Sequence, residues 1–265
     1  MPLALKTFAN VNDAGAALKA DGARYLGGGT LVVRAANEGD VSLSTFVRST
    51  DPALLALSVE GSRVTIGASV TMAAMARHPA LAPIASAARA VGGPAIRNMA
   101  TVGGNLFAPA PYGDFAVALL ALDAEVLEGS QATPIEAFLK ARDPAAGRIV
   151  SAVRFDVPEP KKFRFVKVAR VKPKGVSVLS IAVLLDEAAD GTIRTARIAL
   201  GCMADRPMRA KAAEQALVGR KRTAEGITPA LAVAAEGTAP ITDAIASAWY
   251  RAEVLPVHLG RLLLG

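Results

Sequence analysis

Two glycine clusters, Gly27-Gly28-Gly29 and Gly103-Gly104, constrain this chain more than any other feature of its sequence. The first lies in Tyr25-Leu26-Gly27-Gly28-Gly29-Thr30-Leu31, between a candidate strand at 23–26 and a candidate helix at 30–36. The second lies in Ala100-Thr101-Val102-Gly103-Gly104-Asn105-Leu106. Glycine lets backbone N–H groups come close to a ligand and opens conformations with φ > 0. A helix start behind such a loop adds positive potential. Thr30, Thr101 and Asn105 bring side-chain hydrogen bonds. Two loops of this kind can grip a pyrophosphate from two sides, and each alone can equally be a tight turn. Neither matches a known nucleotide fingerprint. Val32 stands where G-x-G-x-x-G needs its last glycine, and no G-x-x-x-x-G-K-[ST] occurs.

Composition narrows the function classes. At 265 residues, and about 150 residues per domain, the chain makes one to three compact units. It is 52% hydrophobic and 20% charged, which suits a core-forming protein. The net charge of +7 is mild and selects no partner by itself. A single cysteine, Cys202, leaves no room for a disulfide framework, a cysteine-rich zinc site or an iron–sulfur cluster held by this chain. Two histidines, His78 and His258, are too few for a histidine-built metal centre. The start, MPLALKTFAN, shows no secretory pattern. The longest apolar run, 115–122, falls far short of the roughly 20 residues that span a bilayer. The expectation is a soluble, cytoplasmic protein in a reducing compartment, with no transmembrane segment.

Local signals place the elements. Asn10 or Asn12 caps a helix running to Leu18, 43–48 is a strand, and Pro52 opens a turn or short helix. Residues 58–67 alternate around Gly61-Ser62 and predict a hairpin. Thr71 caps a helix through Arg77, and Pro79 starts another that ends at Gly92-Gly93. The stretch 94–113, rich in Gly, Pro and Asn, reads as irregular. Asp114 is a good N-cap for an apolar helix at 115–122. A strand at 124–127 follows, then Thr133, Pro134 and Glu136 as the start of a helix to Lys140, then an alternating strand at 149–157. Val157-Pro158-Glu159-Pro160 marks a boundary. Beyond it come strands at 163–169, 178–185 and 193–200, with a turn at Asp190-Gly191. Helices at 208–218, 229–235 and 246–264 follow, the last kinked or restarted by Pro256. Strands first and helices after predict an α+β unit, a small antiparallel sheet with helices on one face.

Between the second glycine segment and the apolar helix runs Ala108-Pro109-Ala110-Pro111-Tyr112-Gly113-Asp114. A carboxylate here can accept from a ribose hydroxyl, or it can cap the helix. With these residues in place, the chain resembles the flavoprotein (medium) subunit of the molybdenum hydroxylases. That family includes carbon monoxide dehydrogenase and the flavin domain of xanthine dehydrogenase. The resemblance rests on 26–31, 101–106 and Asp114, and continues through 63–74, 149–155, 198–201 and 207–217, in order over nearly the whole chain. It departs at Leu26, where the family usually has alanine, in the third glycine of the first loop, and in a compact overall length.

The resemblance implies an α+β chain with a two-subdomain FAD-binding fold of the vanillyl-alcohol-oxidase type, residues 1–56 and 57–160. A small α+β C-terminal domain with an antiparallel sheet and helices would follow at 161–265. It implies extended FAD, with Leu26, Gly27, Gly28, Gly29, Thr30 and Leu31 around the pyrophosphate. Thr101, Val102, Gly103, Gly104 and Asn105 would hold the pyrophosphate and adjoining ribityl from the other side. Asp114 would contact a flavin-nucleotide hydroxyl, Val150 would pack near the flavin or adenine, and Lys167 matches a family lysine near the cofactor. No side chain need be catalytic, since the redox chemistry belongs to the isoalloxazine. Electrons would arrive from 2Fe-2S clusters on a small subunit, and the molybdenum cofactor would sit on a large subunit, in a dimer of heterotrimers. An external acceptor would take the electrons onward.

Other residues read more simply. Lys167 or Arg170 could favour anionic reduced flavin by Coulomb attraction, although Arg170 fits a solvated basic face better. Tyr112 could stack on or gate the site. His78 ends a helix, His258 packs or faces solvent in the last one, and Cys202 is a small buried hydrophobe. Trp249 and Tyr250 read as core or subunit-contact anchors, and Lys172–Lys174 as a charged turn without an assigned role. A stand-alone FAD-dependent reductase of the same fold is the alternative function. It calls for substrate-specific polar residues in the C-terminal region, where no convincing set stands. A nucleic-acid binder is disfavoured by scattered basic residues and 5% aromatics.

Overall fold

The computed structural model describes residues 3–143, 147–172 and 175–265; Pro173 and Lys174, in the charged turn considered above, lie outside them. The backbone builds three separate sheets. The first holds β1 (Ala4–Phe8), β2 (Ala23–Tyr25) and β3 (Thr45–Ser49), all parallel, in the order β1-β3-β2. Helices α1 (Val11–Ala17) and α2 (Val32–Asn37) make the crossovers that parallel neighbours require. Asn10 caps α1 by accepting from the Asp13 amide at 2.8 Å. Strand β1 has no counterpart in the sequence reading. Residues 4–7 are exposed and Phe8 is only half-buried, so the apolar alternation that announces a strand is missing.

The second sheet has the order β4-β5-β8-β6-β7, with every pair antiparallel. The expected hairpin is β4 (Leu57–Glu60) and β5 (Arg63–Gly67). Five helices then precede β6: α3 (Met72–Arg77), α4 (Ala85–Ala90), α5 (Pro94–Met99), α6 (Val102–Phe107) and α7 (Asp114–Ala121). They are followed by β6 (Glu125–Glu128), β7 (Gln131–Pro134), α8 (Ile135–Ala141) and β8 (Ala152–Asp156). Two expectations fail here. The stretch 94–113 is not irregular throughout, because Pro94 opens α5 and the Thr101 side chain caps α6. Thr133 does not start a helix; it pairs with Val126 in the sheet, and the helix begins only at Ile135.

The third sheet is antiparallel, with β9 (Phe163–Ala169), β10 (Ser177–Glu187), β11 (Ile193–Gly201) and β12 (Met208–Arg209) in the order β12-β11-β10-β9. Helices α9 (Lys211–Leu217), α10 (Ala224–Ala232) and α11 (Ala248–Leu264) follow. The α+β character and the antiparallel C-terminal sheet agree with the sequence reading, but three details do not. Met208 belongs to β12 rather than to a helix. Pro229 lies inside α10, which starts earlier behind the Thr223 cap. Pro256 does not restart α11, which runs through it.

The expectation of helices on one face is also corrected. Helices α9 and α11 pack on the third sheet together with α10, while α7 packs on β10 and β11 as well. All eight residues of α7 are buried, as a helix apolar on every side requires. Strand β10 is correspondingly apolar along most of its length, the signature of a strand covered on both faces. Ala182 and Ala199 join the core of the second sheet, and Ile181 and Ile198 join the core under α9–α11. Among the described residues, no helix is long and apolar enough to cross a membrane.

Candidate cofactor site

The first glycine segment leaves β2 where Leu26 donates its amide to Val47 O at 2.7 Å. From there to α2 the backbone turns, and Gly29 O and Leu31 O accept from Val33 and Ala35 of α2. Among the described residues, no acceptor takes the amide hydrogens of Gly27, Gly28, Gly29, Thr30 or Leu31, and the Thr30 hydroxyl has no partner. Gly29 sits at φ +72°, open to glycine at little cost. A run of unpaired N–H groups on a partly exposed turn supplies donors suited to an anion.

Folding brings the two glycine segments together. A Cβ built on Gly28 would overlap the Met99 carbonyl, and one on Gly27 would stand 3.1 Å from Thr101 Oγ1. Thr101 is anchored by pairing with Thr71 between β5 and α3. Its Oγ1 accepts from the Gly104 amide at 3.1 Å, which leaves the hydroxyl hydrogen free to donate.

The second segment is not a loop of free amides. The Val102, Gly103 and Asn105 amides donate to Val70 O, Ala68 O and Thr101 O, and that of Gly104 goes to the Thr101 cap. Gly103 is glycine because a Cβ would press on Ala68 at 2.9 Å. Asn105 is buried and donates from Nδ2 to Thr101 O at 3.1 Å. This segment therefore offers a hydroxyl and a wall, not a second cradle of backbone donors.

Asp114 is not the cap of α7. Gly113 occupies that position at φ +86°, and the Asp114 carboxylate faces the third sheet. Its Oδ1 accepts from Ser177 Oγ at 2.6 Å, and its Oδ2 lies 2.9 Å from Lys167 Nζ. Lys167 also donates to Ala90 O at 3.0 Å. Both charges are deeply buried, at 6% and 12% side-chain exposure for Asp114 and Lys167. The Lys167 ammonium, considered above beside the flavin, is thus paired with Asp114. Arg170 is exposed, as expected of a solvated face. Gly113 ties this pair to the second segment, with its α-carbon environment closed by Asn105 O and Ala108 O. Val150 precedes β8 rather than lying in it, and is buried in the core of the second sheet.

The remaining candidates fall into place around this frame. Tyr112 accepts a hydrogen bond from Arg34 Nη1 at 2.9 Å, joining α2 to the loop before α7. Cys202 is buried, and its thiol reaches Ser177 O at 3.6 Å. Burial, and then the negative Asp114, push its pKa up to about 12, so it is a neutral thiol. His78 caps the C-terminal end of α3. Trp249 and Tyr250 are exposed and so are not core residues. Among the described residues, no cluster of His, Cys, Asp and Glu could hold a metal. Sequence reasoning missed Ser177, whose hydroxyl is committed to Asp114 from 63 positions away, and Arg34, which carries no local motif.

Residues 5–159 match the family model described as the FAD binding domain in molybdopterin dehydrogenase, and 164–265 match the CO dehydrogenase flavoprotein C-terminal domain. The chain belongs to the FAD-binding subunits of the molybdenum hydroxylases. It is similar to the nicotinate dehydrogenase FAD-subunit of Eubacterium barkeri, 30% identical over 74% of this chain and 72% of that one. It is also similar to the carbon monoxide dehydrogenase medium chain of Afipia carboxidovorans, 30% identical over 78% and 76% of the two chains. Among solved structures it resembles reconstituted CO dehydrogenase from Oligotropha carboxidovorans, with TM-score 0.88, 26% identity, and 99% and 96% of the chains covered. The molybdenum hydroxylase subunit described here is thus an oxidoreductase subunit with FAD as its cofactor. The fold class and family expected from 26–31, 101–106 and Asp114 hold.

Proposed function

We propose that this chain is the electron-transfer medium subunit of a molybdenum hydroxylase, holding FAD between the first glycine loop and the Thr101 region. One observation carries the reading: five consecutive amides, Gly27 to Leu31, unpaired among the described residues, on a loop that meets the Met99 carbonyl through a contact only glycine at 28 permits and comes beside Thr101 at Gly27. A diphosphate carries the charge and the acceptor oxygens that such donors lack. Leu26 closes the start of the loop. The Thr30 and Thr101 hydroxyls add donors, and Val102, Gly103, Gly104 and Asn105 form the opposite wall. Asp114 and Lys167, already paired, act from behind that wall by fixing α7 against the third sheet, and Val150 supports it from the core. FAD, when bound, supplies the redox chemistry; the protein's own groups bind, orient and shield it.

The single cysteine leaves this chain without an iron–sulfur cluster of its own, so in this reading the electrons come from a partner. In this reading a small subunit carries 2Fe-2S clusters, a large subunit carries the molybdenum cofactor, and the three chains assemble as a dimer of heterotrimers in the cytoplasm. An external acceptor takes the electrons onward. Purification of the native assembly tests this: a flavin absorbance spectrum with co-purifying iron–sulfur and molybdenum chains is expected. A flavin-containing chain that purifies alone and reduces its own substrate would instead establish a stand-alone reductase.

A further inference from the structure

Three arginines line one recess of about 310 Å³ formed by α3, α4 and α5. Arg77 ends α3, Arg89 lies in the last turn of α4, and Arg97 lies in α5 beside Asn98, with Ala73 and Ala76 as an apolar floor. Like charges gathered around one recess repel one another unless an anion answers them. Some arginines elsewhere have carboxylate partners, such as Arg154 with Glu125 and Arg222 with Glu187, while Arg142 and Arg164 donate to backbone carbonyls. Among the described residues, none of Arg77, Arg89 and Arg97 has one, and the lining contains no acid.

Two of the three guanidinium groups are nonetheless held in place. Arg97 Nη1 donates to Arg89 O at 3.0 Å, Val91 O at 3.4 Å and Gly92 O at 2.6 Å, carbonyls that the end of α4 leaves over. Arg89 Nη2 donates to Ala76 O at 3.2 Å in the last turn of α3. Each of these arginines uses one nitrogen for its anchor and keeps the others free. Among the described residues, the Arg77 guanidinium has no hydrogen-bond partner. A guanidinium fixed by carbonyls with donors to spare is preorganised for two-point recognition of a phosphate.

We propose that this recess is a second anion site, separate from the Gly27–Leu31 cradle, which takes the phosphate or diphosphate of a small molecule. Its volume lies at the small end of ligand pockets. If the subunit hands electrons to an external acceptor, a phosphate-bearing acceptor is the class this site would serve, an extension that rests on the function proposed above.

Calorimetric titration of inorganic pyrophosphate into the full chain saturated with FAD tests the site. One equivalent should bind without releasing flavin, as followed by flavin fluorescence. Arg77→Ser, at an exposed residue without a partner, should weaken binding about tenfold while leaving the melting temperature unchanged. The proposal is overturned if pyrophosphate does not bind, if Arg77→Ser binds it as well as the parent, or if pyrophosphate displaces FAD, which would make it a competitor for the cradle. The same titration on flavin-free chain separates the two readings. Arg77-dependent binding there upholds the recess even if the chain takes up no FAD.

Discussion

Gly28 and Asp114 show two ways in which a single residue holds this site. Gly28 acts by what it lacks, since any side chain would drive the first loop off the Met99 carbonyl. Asp114 acts by what it neutralises, since Lys167 and Ser177 spend both of its oxygens. Removing one partner of a buried ion pair leaves the other charged and unpaired, so Asp114→Asn should lower unfolding stability by about 3–5 kcal/mol in denaturant titration. The glycines were legible in the sequence because their role is local. The Asp114 partnership was not, because Lys167 and Ser177 come from strands that pass beneath α7 only in the folded chain. Cys202 gives a pH signature. Its pKa is raised from 9.0 to about 12, so above pH 9 the unfolded chain loses a proton that the folded chain keeps. Its contribution to stability should therefore fall between pH 9 and about pH 12, by roughly 1.4 kcal/mol per pH unit. Denaturation of the parent and of Cys202→Ala across this window measures it; parallel curves would remove Cys202 as the cause.

Helix α7 joins the second sheet to the third, and its eight buried residues explain why its sequence is almost wholly apolar. Leu119 is fully buried there. Leu119→Ala should cost about 2–5 kcal/mol, read from the midpoint and slope of urea unfolding; a change below 1 kcal/mol would mean that α7 is not the structural link described. Elements of this kind were easy to read from sequence. Apolar runs marked α7 and β10, alternation marked β8, and Asn10 and Thr71 sit at the caps assigned to them. Elements governed by longer-range contacts were hidden. Exposed β1 is a strand only because β3 lies beside it. The short helices α5 and α6 were masked by the glycines and prolines that shape them. Pro229 and Pro256 remain inside helices because packing against the third sheet outweighs the lost backbone hydrogen bond.

At the scale of the whole molecule, the proposed cofactor seam runs where the first sheet's loop meets the helices of the second, backed by the third sheet through α7. One hydrogen bond, Arg34 to Tyr112, spans this seam from α2 to the loop before α7. Its loss in Tyr112→Phe should weaken FAD affinity by a factor of about two to five, as expected for one partly exposed hydrogen bond. Flavin fluorescence titration reads this out, and an unchanged Kd would show that the bond does not close the seam. The central claim is that the Gly27–Leu31 amides recognise a diphosphate. Competition against FAD in the chain assembled with its natural companions tests it most directly. One FAD should bind per chain and be displaced by ADP far better than by riboflavin, which lacks phosphate. Folded chain that takes up no FAD, or riboflavin competing as well as ADP, would contradict it.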